Sequence, residues 1–543
     1  MNISIESLIK RFDIIKSNRA NWETHWQECA DYCLPQKAII TVIRTPGTKI
    51  KTDIYDSTAI NAVPIFAAGL HSYLTNPSSK WCALTMRDKA LMGDYDVKRW
   101  LKECEDAIFD VLNNSNFNEV VPEWYTDFIV FGNSCLYEEE DFEDTVSFCV
   151  RPIAEIFFLA NDRGRLDTVY RYFTLTARQA YQKWGNNAGS KVLDLIEAQK
   201  VEEPVAFLHI ILPREERDVR KKDAKNKPFA SIYVEPSTKK ILSESGYDEF
   251  PFFIPRFYKV SDSEYAYSPS SMALADIKML NTMSRDILEA AQKKIHPPIT
   301  LPHDGYLLPF KTGAKSINYK LQGSPDDKVE VMNITGDIGI GLEMENQRRM
   351  RIERSFFVDL FLMLASLPER ERTATEIAER VNERMLILGP ILGRLMKTLS
   401  GIIIRTFNIL SRNGSLPEMP DMLKGKDYKI EFISPLAKAQ KASEARSITD
   451  LLVAVKAMAE VDTTVVDNLD MDKTVKELAT IYNTSSEILR SDEEVKAIRD
   501  TRNEQMAMQQ GLEQMKLGAE GGKAVAEAEQ ILKGGKESAG RKS

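Results

Sequence analysis

The chain has 543 residues, of which 43% are hydrophobic and 28% charged, and its formal net charge is −8 at pH 7. This length predicts about two to four domains, and the acidic balance argues against a protein that grips DNA along its outer surface. The sequence contains no run of about 20 apolar residues and no basic-then-apolar N-terminus, so we predict neither membrane insertion nor a signal peptide. The six scattered cysteines predict reduced, structural thiols.

The first half of the chain changes from helical to strand periodicity. Apolar spacing predicts four helices and one strand, namely helices over 1–35, 53–74, 94–112 and 122–131 and a strand at 81–86. From residue 134 to residue 255 the apolar residues recur with a period close to two, which is typical of strands. This spacing predicts strands at 135–137, 146–150, 156–160, 168–174, 205–212 and 231–234, with a short helix at 176–184. This half is therefore predicted to be a mixed α+β domain with a substantial sheet.

The stretch from 267 to 364 predicts two long helices around an insertion. The first helix runs over 267–295 and is stopped by His296-Pro297-Pro298. The insertion, to about Asp337, contains a hairpin of strands 317–321 and 329–334 around a Gly-Ser-Pro-Asp-Asp turn. The second helix is predicted over 338–364. Two antiparallel helices with a small module at the tip suit a subunit that stands beside copies of itself around an axis.

A third helix, running to about Ser411, follows a charged loop. Thr373 and Glu376 have the spacing of a capping box. Gly389 and Pro390 lie inside the apolar repeat, and they predict a kink because the proline removes one backbone hydrogen bond. Beyond it the sequence predicts a strand at 428–433, three increasingly polar helices and a polar tail; the helices are at 441–461, 471–489 and 491–518.

Two charged groups border these helices. A basic cluster lies near the start of the second helix and consists of Arg348, Arg349, Arg351 and Arg354. It could face a polyanion, but we favour ion pairs with Asp286 and Glu289 of the first helix or with a neighbouring subunit. The second group follows Pro368 at the helix–helix junction and consists of Glu369, Arg370, Glu371 and Arg372. Such alternating charge is usually a solvated turn, but in a ring it would repeat at one level of the bore.

The sequence predicts no catalytic residues, no metal site and no cofactor. The run Gly336–Gly341 lacks the order of a phosphate-binding loop, and no G-x-x-x-x-G-K-[ST] motif occurs. The acidic run Glu138–Asp144 is interpreted as a solvated turn, because consecutive carboxylates in a strand alternate faces and cannot converge on one ion. The five histidines lie far apart in the sequence. We therefore predict that the protein is not an enzyme.

Several segments in this order resemble the portal, or head-to-tail connector, proteins of T7-like short-tailed phages. The segments that carry the resemblance are Trp22–Pro35, Ile54–Ala59, Asn76–Cys82, Phe131–Asn133, Pro368–Arg372, Thr373–Ile377 and Leu388–Pro390. The resemblance extends over at least residues 1–440, and its specificity lies in order and spacing rather than in one motif. The C-terminal tail departs most from the family.

The resemblance implies a helix-rich α+β portal architecture in a ring oligomer. It implies a mixed α/β wing, an antiparallel two-helix stem, a small β-containing clip, a tunnel loop and a helical crown. The implied segments are wing 1–265, first stem helix 266–296, clip 297–337, second stem helix 338–364, tunnel loop 365–372, long wing helix and strand 373–440, and crown with tail 441–543.

The resemblance also implies the partners. It implies a dodecamer at one capsid vertex of the virion, assembled in the host cytoplasm with capsid and scaffolding proteins. Double-stranded DNA would pass through its channel, and the clip would dock the terminase large subunit and later a tail adaptor protein. We expect Arg370 and Arg372 to approach the DNA in an otherwise neutral or acidic bore, since each fixed cation adds affinity for phosphate.

Other interpretations remain open from the sequence. A ring-forming tail or baseplate component without DNA passage is the first alternative. A nucleic-acid-processing enzyme that uses the acidic run at 138–144 is the second. A membrane pore is the weakest, because no element has a lipid-compatible face.

Overall fold

A computed structural model of the protein describes most of the chain. Outside the described residues lie 1–3, 43–44, 46, 49–52, 79, 87–90, 92–93, 222, 262, 301–308, 310–316, 320–329, 332–337, 366–373, 424–427, 432–434, 461–462, 482–489, 491–493 and 510–543. The chain divides into two units. The first comprises 1–87, 101–419 and 426–439, and the second comprises 88–100, 420–425 and 440–543.

Helices dominate, as the sequence predicts. Their bounds are α1 Ile5–Cys33, α2 Thr58–Leu74, α3 Tyr95–Asn114, α4 Phe117–Phe131, α5 Ala177–Trp184, α6 Ser190–Glu197, α7 Pro269–Ile295, α8 Ile338–Ser355, α9 Val358–Ala365, α10 Ala374–Asn413, α11 Pro435–Ala459 and α12 Met471–Ile481. Residues 494–509 are also helical. In the second unit Arg499 contacts both carboxylate oxygens of Asp472, at 2.6 and 2.7 Å.

The strands form small antiparallel sheets. Their bounds are β1 Ala83–Met86, β2 Cys135–Asp141, β3 Thr145–Arg151, β4 Ile156–Ala160, β5 Leu166–Thr176, β6 Pro204–Pro213, β7 Phe229–Glu235, β8 Lys240–Tyr247, β9 Phe252–Phe253, β10 Tyr258–Lys259, β11 Ala266–Tyr267, β12 Ile299–Thr300, β13 Glu330–Val331 and β14 Tyr428–Glu431. The largest sheet has the order β4-β5-β6-β7-β8, and a second has β3-β2-β9. β14 pairs with β1.

Helix α1 covers one face of the five-stranded sheet. Leu8, Phe12 and Ile15 pack against Phe157 and Tyr170 of the strands. Further along α1, the buried Arg19 guanidinium donates to the carbonyls of residues 153, 154 and 156 at 3.0, 2.7 and 2.5 Å and pairs with Glu23. Helix α1 is thus held to the sheet by apolar packing and by the Arg19 guanidinium, whose N–H groups donate to backbone carbonyl oxygens.

Several predicted boundaries are corrected. Helix α4 begins at Phe117 rather than at Pro122, because Asn116 bonds the backbone of Phe148 at 2.8 Å through both its amide nitrogen and its oxygen and so fixes the start. Helix α2 begins at Thr58 rather than at residue 53. Of the predicted strand 317–321, residues 317–319 are described and are not strand; β13 pairs instead with β12.

The second stem helix, predicted to be continuous over 338–364, is interrupted at Phe356-Phe357. Phe357 has φ +56° and separates α8 from α9. The interruption lets aromatic rings of the α9 region pack on α2. Phe66 lies 5.4 Å from Phe357 and 5.6 Å from Phe361 between ring centroids, and Gly69 lies directly against Phe361. Tertiary packing of the phenylalanines therefore outweighs helical continuity.

Helix α10 is continuous through Pro390, so the proline does not end it. The predicted apolar stripe is buried at Leu388, Leu392, Leu395 and Leu399. Gly401 lets the helix approach the sheet closely, because a Cβ there would lie 3.1 Å from the Phe253 ring. The predicted kink at Gly389-Pro390 stays a prediction.

A charge network joins α10 to strand β2. Glu138, which the sequence places in a solvated turn, is completely buried, since β2 extends to Asp141. Its carboxyl accepts a hydrogen bond from Thr406 at 3.1 Å, and Arg405 lies 3.6 Å away. Nearer the surface, Arg412 contacts Glu249 at 2.6 Å and Glu140 at 2.9 Å. The solvated-turn prediction is therefore wrong for Glu138.

The joint between α4 and α7 depends on a glycine. Gly132 ends α4 with φ +73°, and a Cβ there would lie 2.7 Å from the Tyr267 carbonyl carbon and against the Ala266 oxygen. Asn133 bonds the backbone nitrogen and oxygen of Ala266, each at 3.1 Å. The Ser268 hydroxyl caps α7 by accepting from the Ser271 N–H, and it donates to the Val130 carbonyl at 2.7 Å. These contacts fix the start of α7.

We expect Gly132→Ala to lower the free energy of unfolding by about 3 kcal/mol, because the methyl group meets backbone and the residue keeps a left-handed conformation. Gly414→Ala is the matched control: φ is +68° there and no atom lies within 4 Å of the added Cβ. Its cost should be only about 1 kcal/mol. Chemical denaturation of both variants measures the difference, and equal losses would contradict the close-approach argument.

We also expect a pH-dependent stability from Glu138. Burial raises the pKa of Glu138 to about 8, although Arg405 and the Thr406 hydrogen bond oppose the shift. Since the folded-state pKa is higher than the unfolded one, the stabilisation from this group is complete at low pH and is lost as pH rises through about 8. Relative to Glu138→Gln, the wild type should therefore lose on the order of 3 kcal/mol between pH 5 and pH 8.

Denaturant titrations at several pH values measure this difference. Glu140→Gln is the control, because Glu140 is exposed and lies two residues along the same strand. It should keep the pH dependence of the wild type. A Glu138→Gln variant with an unchanged pH profile would refute the assignment.

Candidate functional site

The predicted tunnel loop lies between α9 and α10. Helix α9 ends at Ala365 and α10 begins at Ala374. Glu369, Arg370, Glu371, Arg372 and Thr373 are outside the described residues. Glu376 is within α10, and its side chain is also outside the described part. The structure thus defines the helices on either side of the loop, α9 and α10. The roles of Glu369, Arg370, Glu371, Arg372, Thr373 and Glu376 stay predictions.

Helices α7 and α8 pair in antiparallel fashion. Ile287 lies against Gly341, where a Cβ would be 3.1 Å from the Ile287 side chain. Ser284 donates to Glu345 at 2.6 Å, and Arg348 contacts Asp276 at 2.5 Å. The contacting residue moves backwards along α7 as it moves forwards along α8. Gly341, near the start of α8, lets the two backbones approach closely there.

The basic cluster is engaged within the chain. Arg348 contacts Asp276, Arg354 lies 3.9 Å from Asp359, and the Arg351 side chain is exposed. The partners named from the sequence are wrong, since Asp286 and Glu289 both contact Arg285 of their own helix, at 3.0 and 3.9 Å. The sequence predicts ion pairs between the two long helices. One such pair is present, and its carboxylate is Asp276 of α7, which contacts Arg348 of α8.

Within this basic cluster, Arg349 forms ion pairs with two carboxylates. It contacts Asp56 at 3.0 Å and the buried Glu345 at 3.1 Å, and Glu345 in turn accepts from Ser284. Burial alone would lower the pKa of Arg349, but the carboxylates of Asp56 and Glu345 outweigh it and raise the pKa above its ordinary value. The guanidinium is therefore held in its charged form and joins α7, α8 and the segment before α2.

The segment Asp53–Asp56 explains why α2 begins late. The Asn281 side chain accepts from the Tyr55 N–H at 2.7 Å and donates to the Asp53 carbonyl at 2.9 Å. The segment is therefore held against α7 by Asn281, and Asp56 contacts Arg349 of α8. Ile54–Ala59 carries part of the family resemblance, but no sequence signal linked it to Asn281.

The paired helices carry large apolar side chains on the surface of the single chain. These exposed residues are Met272, Met279, Leu288 and Ile295 on α7 and Ile340, Leu342, Met344 and Met350 on α8. So many exposed apolar side chains on one two-helix element are typical of a protein–protein contact surface. Neither helix is long and apolar enough to cross a bilayer, and this holds for every helix among the described residues.

The residues considered for enzymatic chemistry are dispersed or engaged in packing. In the acidic run, Glu138 is buried while Glu139, Glu140 and Asp141 are exposed. Within the described part of the chain, no group of three or more His, Cys, Asp or Glu residues has metal-binding geometry. His209 bonds Ser231 at 2.9 Å and stacks on Tyr233, and burial lowers its pKa well below the ordinary value.

The cysteines match their sequence interpretation. All six are free, and all but Cys149 are buried. Burial raises the pKa of both Cys29 and Cys33 to about 12, so these thiols stay protonated at neutral pH.

Two solved chains from the neck of a GTA particle are similar to this chain at a low level. A chain from the neck of an empty GTA particle computed with C6 symmetry has a TM-score of 0.37 and 11% identity, covering 73% of this chain and 86% of that chain. One from the neck of the native GTA particle computed with C12 symmetry has a TM-score of 0.32 and 13% identity, covering 69% and 93%.

Sequence comparison is decisive. A family model described as "Bacteriophage head to tail connecting protein" matches residues 6–489. The portal protein of Salmonella phage epsilon15 is 30% identical over 542 residues, covering 96% of each chain. The probable portal protein of Bordetella phage BPP-1 is 30% identical over 510 residues, covering 93% of this chain and 92% of its own.

These matches cover the minimum span of residues 1–440 that the motifs imply and continue beyond it, and they confirm the resemblance to head-to-tail connectors. The fold is helix-rich α+β, as the sequence predicts. The chain belongs to the bacteriophage head-to-tail connecting protein family, among portal proteins.

Proposed function

We propose that this portal-family chain forms a ring of twelve copies at one vertex of a phage capsid, with double-stranded DNA passing through the central channel during packaging and ejection. The single observation that carries the proposal is the family match over residues 6–489 together with full-length similarity to two portal proteins. The protein is structural in this role, and its residues position and release DNA rather than react with it.

The paired helices supply a surface for ring formation. The exposed apolar side chains of α7 and α8 lie on an element stiffened by the Ser284–Glu345–Arg349–Asp56 network. A ring with rotational symmetry repeats one heterologous contact around its axis, so each stem would cover part of the apolar surface of the next. The intrachain ion pairs leave the apolar residues, rather than the arginines, as the main subunit contacts.

The proposed passage of DNA requires that few free cations hold its phosphates. The chain carries a net charge of −8, and three of the four stem arginines are engaged by carboxylates, which lowers the number of cations free to hold phosphate. Weak binding is what translocation needs, because each neutralised phosphate adds affinity through counterion release. The loop 365–372, with Arg370 and Arg372, is proposed to bring a limited set of cations to the DNA.

The remaining partners follow from the same role. The clip, 297–337, would dock the terminase large subunit during packaging and a tail adaptor protein afterwards. The wing would contact capsid and scaffolding proteins, and assembly would occur in the host cytoplasm before the ring becomes part of the virion. The crown, 441–543, would face the packaged genome.

One alternative keeps the ring but omits DNA passage: a structural tail or baseplate component. The exposed apolar stem would serve it equally well, but the two similar proteins are named as portal proteins. End-on electron micrographs of particles would separate the two roles, because a portal occupies a single vertex of the head.

We expect Leu288→Asp and Leu342→Asp to prevent ring formation, because each places a charge on a stem residue whose side chain is about half exposed in the single chain, 48% and 47%. Val219→Asp, in a wing loop and 77% exposed, is the matched control. Negative-stain electron microscopy with end-on class averages gives the readout. Wild-type rings from both stem variants would contradict the assignment of α7 and α8 to the subunit contact.

We expect Arg370→Glu and Arg372→Glu to form normal rings but to package less DNA or lose it after packaging, because repulsion replaces attraction at the DNA surface. Arg220→Glu, an exposed arginine in a wing loop, is the charge-matched control. The measurement is DNA per purified particle, obtained by complementing a portal-deficient phage. Wild-type DNA content and retention in both loop variants would remove these arginines from the channel.

A further inference from the structure

A cavity of about 420 Å³ lies in the first unit between α10 and the wing sheet region. Its walls come from the turn at 164–166, from the segment 249–259 and from α10 between 394 and 405. Its apolar lining residues include Phe250, Phe253 and Ile404. This volume is within the range of small-molecule sites and is too small to admit a DNA duplex.

The polar side of the cavity is strongly cationic. The cations that line it are Arg165, Arg256, Lys259, Arg394, Lys397 and Arg405. Glu249 is the one carboxylate among its lining residues, and it also contacts Arg405 and Arg412. Gathering so many like charges costs free energy unless an anion balances them.

Three of these arginines have unused donors. Arg405 is 1% exposed; its Nη1 donates to the Glu249 carbonyl at 2.9 Å, while Nε and Nη2 have no hydrogen-bond acceptor among the described atoms. Arg256 donates through Nη2 to the Gly164 carbonyl at 2.8 Å, and its Nη1 lacks an acceptor there. The same holds for Arg394 Nε. Buried donors are nearly always satisfied, so this group calls for an acceptor.

The electrostatics agree. Burial lowers the pKa of the Arg256 guanidinium, and the nearby Arg394 lowers it further, whereas Glu264 raises it. The Glu138 carboxyl lies 3.6 Å from Arg405 Nε, so it pairs with Arg405 by charge but is beyond hydrogen-bond distance. Among the lining residues, six cations therefore stand against one carboxylate, Glu249.

We propose that this pocket binds a small multivalent oxyanion of the phosphate class. Guanidinium groups present planar pairs of N–H donors that match phosphate oxygens, and one phosphate group balances more charge than one carboxylate does. The phenylalanine wall leaves space for an uncharged part beside the phosphate. The source is either a free phosphate compound or the terminal phosphate of a nucleic-acid strand, and these share the same chemistry.

Calorimetric titration and thermal unfolding of the full-length protein, at constant ionic strength set with sodium chloride, test this proposal. Sodium pyrophosphate is the first probe. A 5′-phosphorylated dinucleotide and its 5′-hydroxyl form are the second and third. Binding of pyrophosphate identifies a free phosphate compound as sufficient, and binding of only the phosphorylated dinucleotide identifies a strand terminus; each supports the site.

Arg394→Gln should weaken binding by about tenfold or more, since it removes a charged donor. Without ligand, this variant should be at least as stable as the wild type, because repulsion among the cations is relieved; a purely structural arginine would show the opposite. Lys397→Gln, exposed and lining the same cavity, gives a second variant if the first does not fold. Arg220→Gln, at an exposed arginine of the β6–β7 loop that does not line the cavity, should bind as the wild type does.

The proposal is overturned if neither pyrophosphate nor the phosphorylated dinucleotide binds, or if both lining variants bind as tightly as the wild type. Loss of ring formation by Arg394→Gln, with no phosphate binding by the wild type, would instead assign the pocket to an acidic group of a second copy of this chain and would also overturn it.

Discussion

The close approach at Gly132 is the constraint on which the joint between α4 and α7 depends. Helix α4 ends there in a left-handed conformation that places its backbone against Ala266 and Tyr267. Asn133 and Ser268 then satisfy the backbone groups that this tight joint exposes. Helix α7 starts just after this joint and carries the contacts of Asp276 and Ser284 to α8. A side chain at residue 132 would have to displace the backbone of Ala266 and Tyr267, immediately before α7.

The sequence predicted most helices because their apolar faces repeat with helical spacing, and it predicted the strands that face a core on one side. It also identified the Phe131–Asn133 and Ile54–Ala59 segments, although not their contacts. It failed where distant packing decides the local conformation. Phe357 interrupts the second stem helix because rings of its region pack on α2, and no local pattern distinguishes that outcome from a continuous apolar stripe.

The candidate site was predictable in part. Charge composition indicated that the stem arginines would be paired, but partner choice depends on helix register, which selected Asp276 and Asp56 rather than Asp286 and Glu289. Glu138 was assigned to solvent because its neighbours are acidic; its burial follows from a strand longer than the apolar residues alone suggest. The cationic cavity gave no signal at all, since its lining residues come from three separate segments of the chain.

The pairing of β1 with β14 has a consequence for the order of events during synthesis. Residues 83–86 pair with 428–431, which are synthesised only after the five-stranded sheet, α7, α8 and α10. This sheet therefore cannot form in the nascent chain until nearly the whole first unit has been made, and such non-local pairing slows folding. Until then the edge of β1 lacks this partner, and an unpaired strand edge is open to wrong pairing with other chains.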